Sequence, residues 1–211
     1  VLSIASFKVF EQERVFIKGP SGCGKSTLLG LLGGVMLPQS GEIRILDQSL
    51  IGLSRGGRDH FRADHIGFVF QMFNLIPYLS VMDNVTLPCR FSERRRQRAA
   101  DQSTVENEAL RLLDHLDLND NTIKAKAVTD LSVGQQQRVA VARALIGSPE
   151  IVIADEPTSA LDTDLRDAFI RLLMADCNAH GTTLLFVSHD GELSPHFDRV
   201  IDFGHINCPT H

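Results

Sequence analysis

No apolar run in this 211-residue chain approaches the length of about 20 residues that a helix needs to span a bilayer. A charged-then-apolar secretory leader is also missing. There is no basic excess either: 21 Lys and Arg face 26 Asp and Glu, for a net charge of −5, which argues against broad nucleic-acid binding. The four cysteines, Cys23, Cys89, Cys177 and Cys208, contain no C-x-x-C pair, so neither a zinc site nor a disulfide framework is indicated. Reduced thiols of a cytosolic protein are the simpler expectation. Internal repeats and low-complexity linkers are absent too, which leaves one domain or a core with a subdomain. A hydrophobic content of 43% is enough for an ordinary core.

What is present divides the chain by periodicity. "RVFIKG" (from Arg14), "GEIRIL" (from Gly41), "IGFVF" (from Ile66), "IVIAD" (from Ile151), "TLLFVSH" (from Thr183) and the shorter "RVIDF" (from Arg199) read as strands. Continuous apolar runs of this kind suit strands buried on both faces of a parallel sheet. The opening "VLSIASFKVF" also alternates like a strand. Because the chain starts at Val1 inside that pattern, a segment upstream of it is expected to be missing. The middle stretch reads as helical, with apolar stripes in "ALRLLDHL" and "RVAVARALI". The expected organisation is a single domain, with an α/β core from 1–71 and 150–211 and a helical insertion over 72–149. The one strong charge run, "ERRRQR" (Glu93 to Arg98), is expected to be the solvated face of a helix capped by Ser92.

"GPSGCGKS" fits G-x-x-x-x-G-K-[ST], with a strand before it and a helix after it. Gly19, Pro20, Ser21, Gly22, Cys23 and Gly24 form a loop whose backbone N–H groups can point inward at phosphate oxygens. The helix from about Lys25 adds its positive end. Lys25 is expected to reach β- and γ-phosphates, and Ser26, followed by Thr27, to give its hydroxyl to Mg²⁺. Converging amides would favour a thiolate at Cys23, although a small loop filler is the simpler reading.

A buried strand delivers Asp155 and Glu156 to its C-terminal end, where ligands sit in open α/β sheets. Asp155 is the direct or outer-sphere Mg²⁺ partner, and Glu156 the base for an attacking water. His189 ends another apolar strand and is a candidate γ-phosphate contact. Gln71 ends a third, where it can orient water or complete the magnesium shell. The other histidines show no metal-ligand spacing.

"LSVGQ" (Leu131 to Gln135) carries no base or nucleophile, yet Ser132 and Gln135 fit a capping box. That box leaves a helix N-terminus, and therefore an anion site, facing outward. One chain has one cradle, so a second anion site makes sense if it serves another subunit's nucleotide in a two-fold, head-to-tail dimer.

In this order, the cradle, Gln71, "LSVGQ", "IVIADE", "SALD" and His189 resemble the ATP-binding cassette (ABC) ATPases over nearly the whole chain. "RADHIGFVFQMFNLIPYLSVMDNVTLP" and "LSVGQQQRVAVARAL" resemble, within it, the ATPases of lipoprotein-release and macrolide-export type. The resemblance implies a P-loop α/β fold with a helical signature subdomain. It implies ATP and Mg²⁺ as ligands and a homodimer with two composite sites. Ser132, Gly134 and Gln135 would hold the partner's nucleotide, with Asp162 at the dimer seam.

It further implies a peripheral position at the cytoplasmic face of the membrane. There an integral membrane permease would be engaged through Gln71 to Pro77, with no nucleic-acid partner. The alternative is an ATPase that relays conformational change through a permease-like protein to periplasmic cell-wall hydrolases. Two departures stand out. Val133 replaces the usual signature glycine, and the adenine-stacking aromatic is expected upstream of Val1.

Overall fold

Val15, Phe16 and Ile17 are all fully buried, and their side chains point to opposite faces of one sheet. A strand apolar at every position needs cover on both sides. The computed structural model, which describes residues 2–208 apart from Gln102, Ala125, Ala160 and Asp162, supplies that cover. The strands are β1 (Arg14–Lys18), β2 (Arg44–Ile45), β3 (Gln48–Ser49), β4 (Ile66–Val69), β5 (Ile151–Asp155), β6 (Thr183–Ser188) and β7 (Arg199–Asp202). Five of them form a parallel sheet in the order β4-β5-β6-β1-β7, while β2 and β3 pair antiparallel in a ribbon of their own.

The helices are α1 (Lys25–Leu32), α2 (Arg55–His65), α3 (Val81–Thr86), α4 (Pro88–Phe91), α5 (Glu93–Ala100), α6 (Val105–His115), α7 (Asn121–Lys124), α8 (Val133–Leu145), α9 (Thr163–His180) and α10 (Phe203–Ile206). Six of these, α3 to α8, lie in sequence between β4 and β5.

Strand alternation splits the core in two. Phe16, Val152, Ala154, Leu184 and Phe186 face one side and pack with residues of α6, α8 and α9, including Leu112, Leu113, Val139, Ile170 and Leu173. Val15, Ile17, Ile153, Leu185 and Val187 face the other, against Leu28 and Leu29 of α1 and Phe203. Phe16 and Phe186 stack at 6.0 Å, and Phe197 tilts against both at 5.1 and 5.2 Å. Gly67 in β4 is required by packing, since a Cβ there would lie 2.3 Å from the Ala144 carbonyl oxygen at the end of α8.

Three sequence expectations need correction. Residues 2–10 form no strand, although Leu2, Ile4, Phe7 and Val9 do pack on the second core in the alternating manner the sequence shows. The pattern marks a half-buried extended segment, and the Cys208 N–H bond to the Ser3 carbonyl is too little to make the ladder that defines a strand. "GEIRIL" contributes only Arg44 and Ile45 to pairing, because Leu46 and Asp47 turn with φ of 50° and 61°. The basic run is not simply a solvated face. Ser92 caps α5 by accepting from the Arg95 N–H at 3.0 Å, but Arg95 itself is 2% exposed.

Candidate functional site

All five parallel strands point the same way, so one edge of the sheet collects their C-terminal ends. β1 runs into the glycine loop, β5 ends in Asp155, and β6 ends at Ser188 beside His189. Gly22 and Gly24 adopt φ of 79° and 109°, a region that costs other residues about 1–2 kcal/mol. The loop thereby turns directly into α1, whose N-cap Gly24 has no side chain to satisfy the first helical amides. Those unmatched donors are what a phosphate requires.

Lys25 is 7% exposed, and its ammonium donates to the carbonyls of Gly19 at 2.6 Å and Pro20 at 3.0 Å. It also lies 3.8 Å from Glu156 Oε1. The Ser26 hydroxyl donates to Asp155 Oδ2 at 3.5 Å. Burial, and after it the neighbouring Glu156 charge, raises the Asp155 carboxyl above its ordinary range, against the pull of Ser26 and Lys25. A hydroxyl and a carboxylate at this spacing are hard oxygen donors, the set Mg²⁺ accepts when phosphates and water complete its shell. Among the described residues there is no group of three or more His, Cys, Asp or Glu that could hold a metal ion alone.

Glu156 sits at the turn after β5 with φ of 47°, and its N–H donates to the Val187 carbonyl at 2.9 Å. Its Oε2 accepts from the His189 Nδ1–H at 2.8 Å, the Ser188 hydroxyl at 3.3 Å and the His189 backbone N–H at 3.4 Å. A carboxylate can only accept, so Nδ1 carries the proton. Ser188 is a site residue the sequence reading missed. Its place at the end of an apolar strand next to His189 was the available signal.

The structure thus joins Lys25, Ser26, Asp155, Glu156 and His189 directly. Gln71 follows β4 in an exposed loop, and among the described residues no hydrogen bond joins it to Ser26 or Asp155. A groove of about 670 Å³ does run from Ser26 and Asp155 past Phe70 and Asn74 to Pro88 and Phe91. Arg143 of α8 donates to the carbonyls of Phe73 at 2.6 Å and Asn74 at 2.7 Å, tying the loop after Gln71 to that helix.

At the head of α8 the Ser132 Oγ accepts from the Gln135 N–H at 3.3 Å, and Gln135 Oε1 accepts from the Ser132 N–H at 2.9 Å, a complete capping box. Val133 is 51% exposed there, with Gly134 and Gln135 half-buried behind it. Buried Gln137, one turn on, donates to the Pro157 carbonyl and so links α8 to the residues after Glu156. That contact joins two distant stretches and left no trace in local sequence. Asp162 lies outside the described residues.

A strand, glycine loop and helix beside a carboxylate-tipped parallel strand define a P-loop nucleoside triphosphatase. The chain belongs to the ABC transporter family, whose model matches residues 2–159. It is 38% identical to the lipoprotein-releasing system ATP-binding protein LolD of Syntrophotalea carbinolica, over 95% of this chain and 85% of that one. It is 37% identical to the macrolide export ATP-binding/permease protein MacB of Pasteurella multocida, over 95% of this chain but 30% of that longer one. The dimeric ATP-binding cassette MJ0796, solved in a post-hydrolysis state with ADP and Pi, superposes with a TM-score of 0.79 at 38% identity, covering 93% of this chain and 83% of that one. The protein is therefore an ABC ATPase of the LolD/MacB-like branch, and it hydrolyses ATP.

Proposed function

We propose that this ATPase works as a head-to-tail homodimer whose two composite sites drive an integral membrane permease. The observation that carries this reading is the fully formed but outward-facing cap of α8. Ser132 and Gln135 satisfy one another, and Val133 beside them is half exposed. A helix N-terminus presented this way suits the phosphate of a nucleotide held by a second copy. The dimeric form of MJ0796 supports the dimer.

Within one site, Lys25 would release the Gly19 and Pro20 carbonyls and bind the β- and γ-phosphates. Mg²⁺, when bound by Ser26, Asp155 and Gln71, would neutralise charge developing on the phosphate oxygens. Glu156 takes a proton from the attacking water, its carboxylate oriented by Ser188 and His189. His189 uses Nδ1 for Glu156, so Nε2 can donate to a γ-phosphate oxygen only in the doubly protonated ring. The partner's Ser132, Gly134 and Gln135 would close the site from outside, with Asp162 at the seam.

The permease would dock where the groove opens between α4 and the loop after Gln71. Met72 and Tyr78 are 81% and 83% exposed, and Phe91 is 68% exposed at the rim. Large apolar side chains left this exposed suit a partner surface. Among the described residues no helix is long and apolar enough to cross a membrane. The LolD and MacB names support a permease of lipoprotein-release or macrolide-export type, and this chain would bind at its cytoplasmic face.

Co-expression with the permease tests the assignment. The paired substitution Met72→Asp and Phe91→Asp should abolish co-purification and permease-stimulated hydrolysis while leaving ATP affinity unchanged. Undiminished co-purification of that variant would remove this face as the docking site.

A further inference from the structure

The basic run of α5 grips the segment that joins α8 to β5. Buried Arg95 donates to the carbonyls of Ala144 at 2.6 Å, Ile146 at 2.8 Å and Arg143 at 3.3 Å. These are terminal carbonyls of α8, which a helix leaves without internal partners, and a cation there also meets the negative end of the helix. Burial pushes the Arg95 guanidinium down to about 10, which still leaves it charged at neutral pH. Arg98 donates to the Ser148 carbonyl and to Glu150 Oε1, both at 2.8 Å. Arg94 reaches the same Oε1 at 2.6 Å, and His65 of α2 holds Oε2 at 2.9 Å.

The gripped backbone has little freedom of its own. Gly147 and Ser148 are left-handed, with φ of 70° and 47°. A Cβ on Gly147 would lie 2.5 Å from the Arg95 carbonyl oxygen.

This short segment connects two functional ends. Ser132 stands at the head of α8, and Glu156 at the tip of β5. At a rise of about 1.5 Å per residue, α8 is a lever of about 20 Å. A tilt of about 5° at its gripped end therefore moves the Ser132 cap by about 1.7 Å, more than a hydrogen bond tolerates.

We propose that α5 is a clamp, with Arg94, Arg95 and Arg98 as positioning residues that fix the angle of α8 to β5 and so aim the signature cap at the partner's nucleotide. The clamp rests on the composite-site reading above. It acts on the second half of each site and not on the cradle, which is what makes it testable.

The experiment uses the Glu156→Gln protein, in which ATP-loaded dimers should accumulate, and adds Arg94→Ala with Arg98→Ala. Both side chains are partly exposed, so the fold should survive their loss. ATP binding to the dilute monomer should stay within about two-fold, while the ATP concentration giving half-maximal dimer by sedimentation should rise about ten-fold, as charged hydrogen bonds are lost. Arg98→Lys, which keeps the charge facing Glu150, should recover part of the shift. A core variant, Leu173→Ala, with an equal or larger loss of melting temperature, should leave dimerisation unmoved.

Dimerisation unchanged in the double variant, or shifted equally in Leu173→Ala, would overturn the clamp. If Glu156→Gln itself stays monomeric at saturating ATP, the composite-site reading fails, and the clamp falls with it.

Discussion

Replacing Glu156 with Gln should slow ATP hydrolysis without harming nucleotide binding or the fold, and the structure says why. Glutamine keeps the shape and an acceptor oxygen for the three donors now on Oε2, at 2.8, 3.3 and 3.4 Å. It tolerates the φ of 47° no worse than glutamate does. What disappears is the negative charge that accepts the water proton, typically worth about 10²–10⁴ in rate, or about 3–5 kcal/mol of barrier.

Lys25 simultaneously loses the carboxylate 3.8 Å away while keeping the Gly19 and Pro20 carbonyls, so incoming phosphate meets one competitor fewer. ATP affinity should therefore hold or tighten. Asp155 adds a stability signature. Its raised carboxyl means the folded protein holds that proton more tightly than the unfolded chain, so stability falls as pH rises through the folded value. Removing the Glu156 charge removes one cause of that rise, and the variant should melt no lower than wild type at neutral pH. Steady-state hydrolysis, an ATP titration and a thermal melt together check this. A wild-type turnover rate would show that Glu156 is not the base, and lost ATP binding would show that it holds the cradle together instead.

Three further outcomes are expected. Gly67→Ala forces a methyl against the Ala144 carbonyl, and this overpacking should cost about 1–3 kcal/mol; an unchanged melting temperature would mean that β4 and α8 yield easily. Ser132→Ala removes one side of the capping box, worth about 1 kcal/mol in stability. If the cap also binds the partner's nucleotide, ATP-dependent dimerisation should fall further than a cap loss elsewhere, such as Ser54→Ala on α2, would cause. Burial raises the Glu150 carboxyl, but hydrogen bonds from His65, Arg94 and Arg98 outweigh it and hold the group well below the usual glutamate range. Its stabilisation is therefore complete above the ordinary value of about 4.3 and is lost as pH falls below it. Glu150→Gln should destabilise at pH 7 and flatten the acid limb of the stability profile; parallel profiles for the two proteins would contradict the sign.

Local sequence was enough for the cradle, the strand-tip carboxylates and the cap of α8, because each depends on residues a few positions apart. Glycine spacing sets a loop, an apolar run sets a buried strand, and Ser132 with Gln135 sets a helix start whatever surrounds them. Tertiary structure alone decided the rest. Residues 2–10 alternate like a strand and find no strand to pair with, and "GEIRIL" pairs over two residues because a turn follows at once. Arg95 reads as a solvent-facing cation and is buried, since whether an arginine meets water or orphaned helix carbonyls depends on an element 50 residues further along the chain. Side-chain chemistry is written locally, but burial and partnership belong to the whole packed molecule.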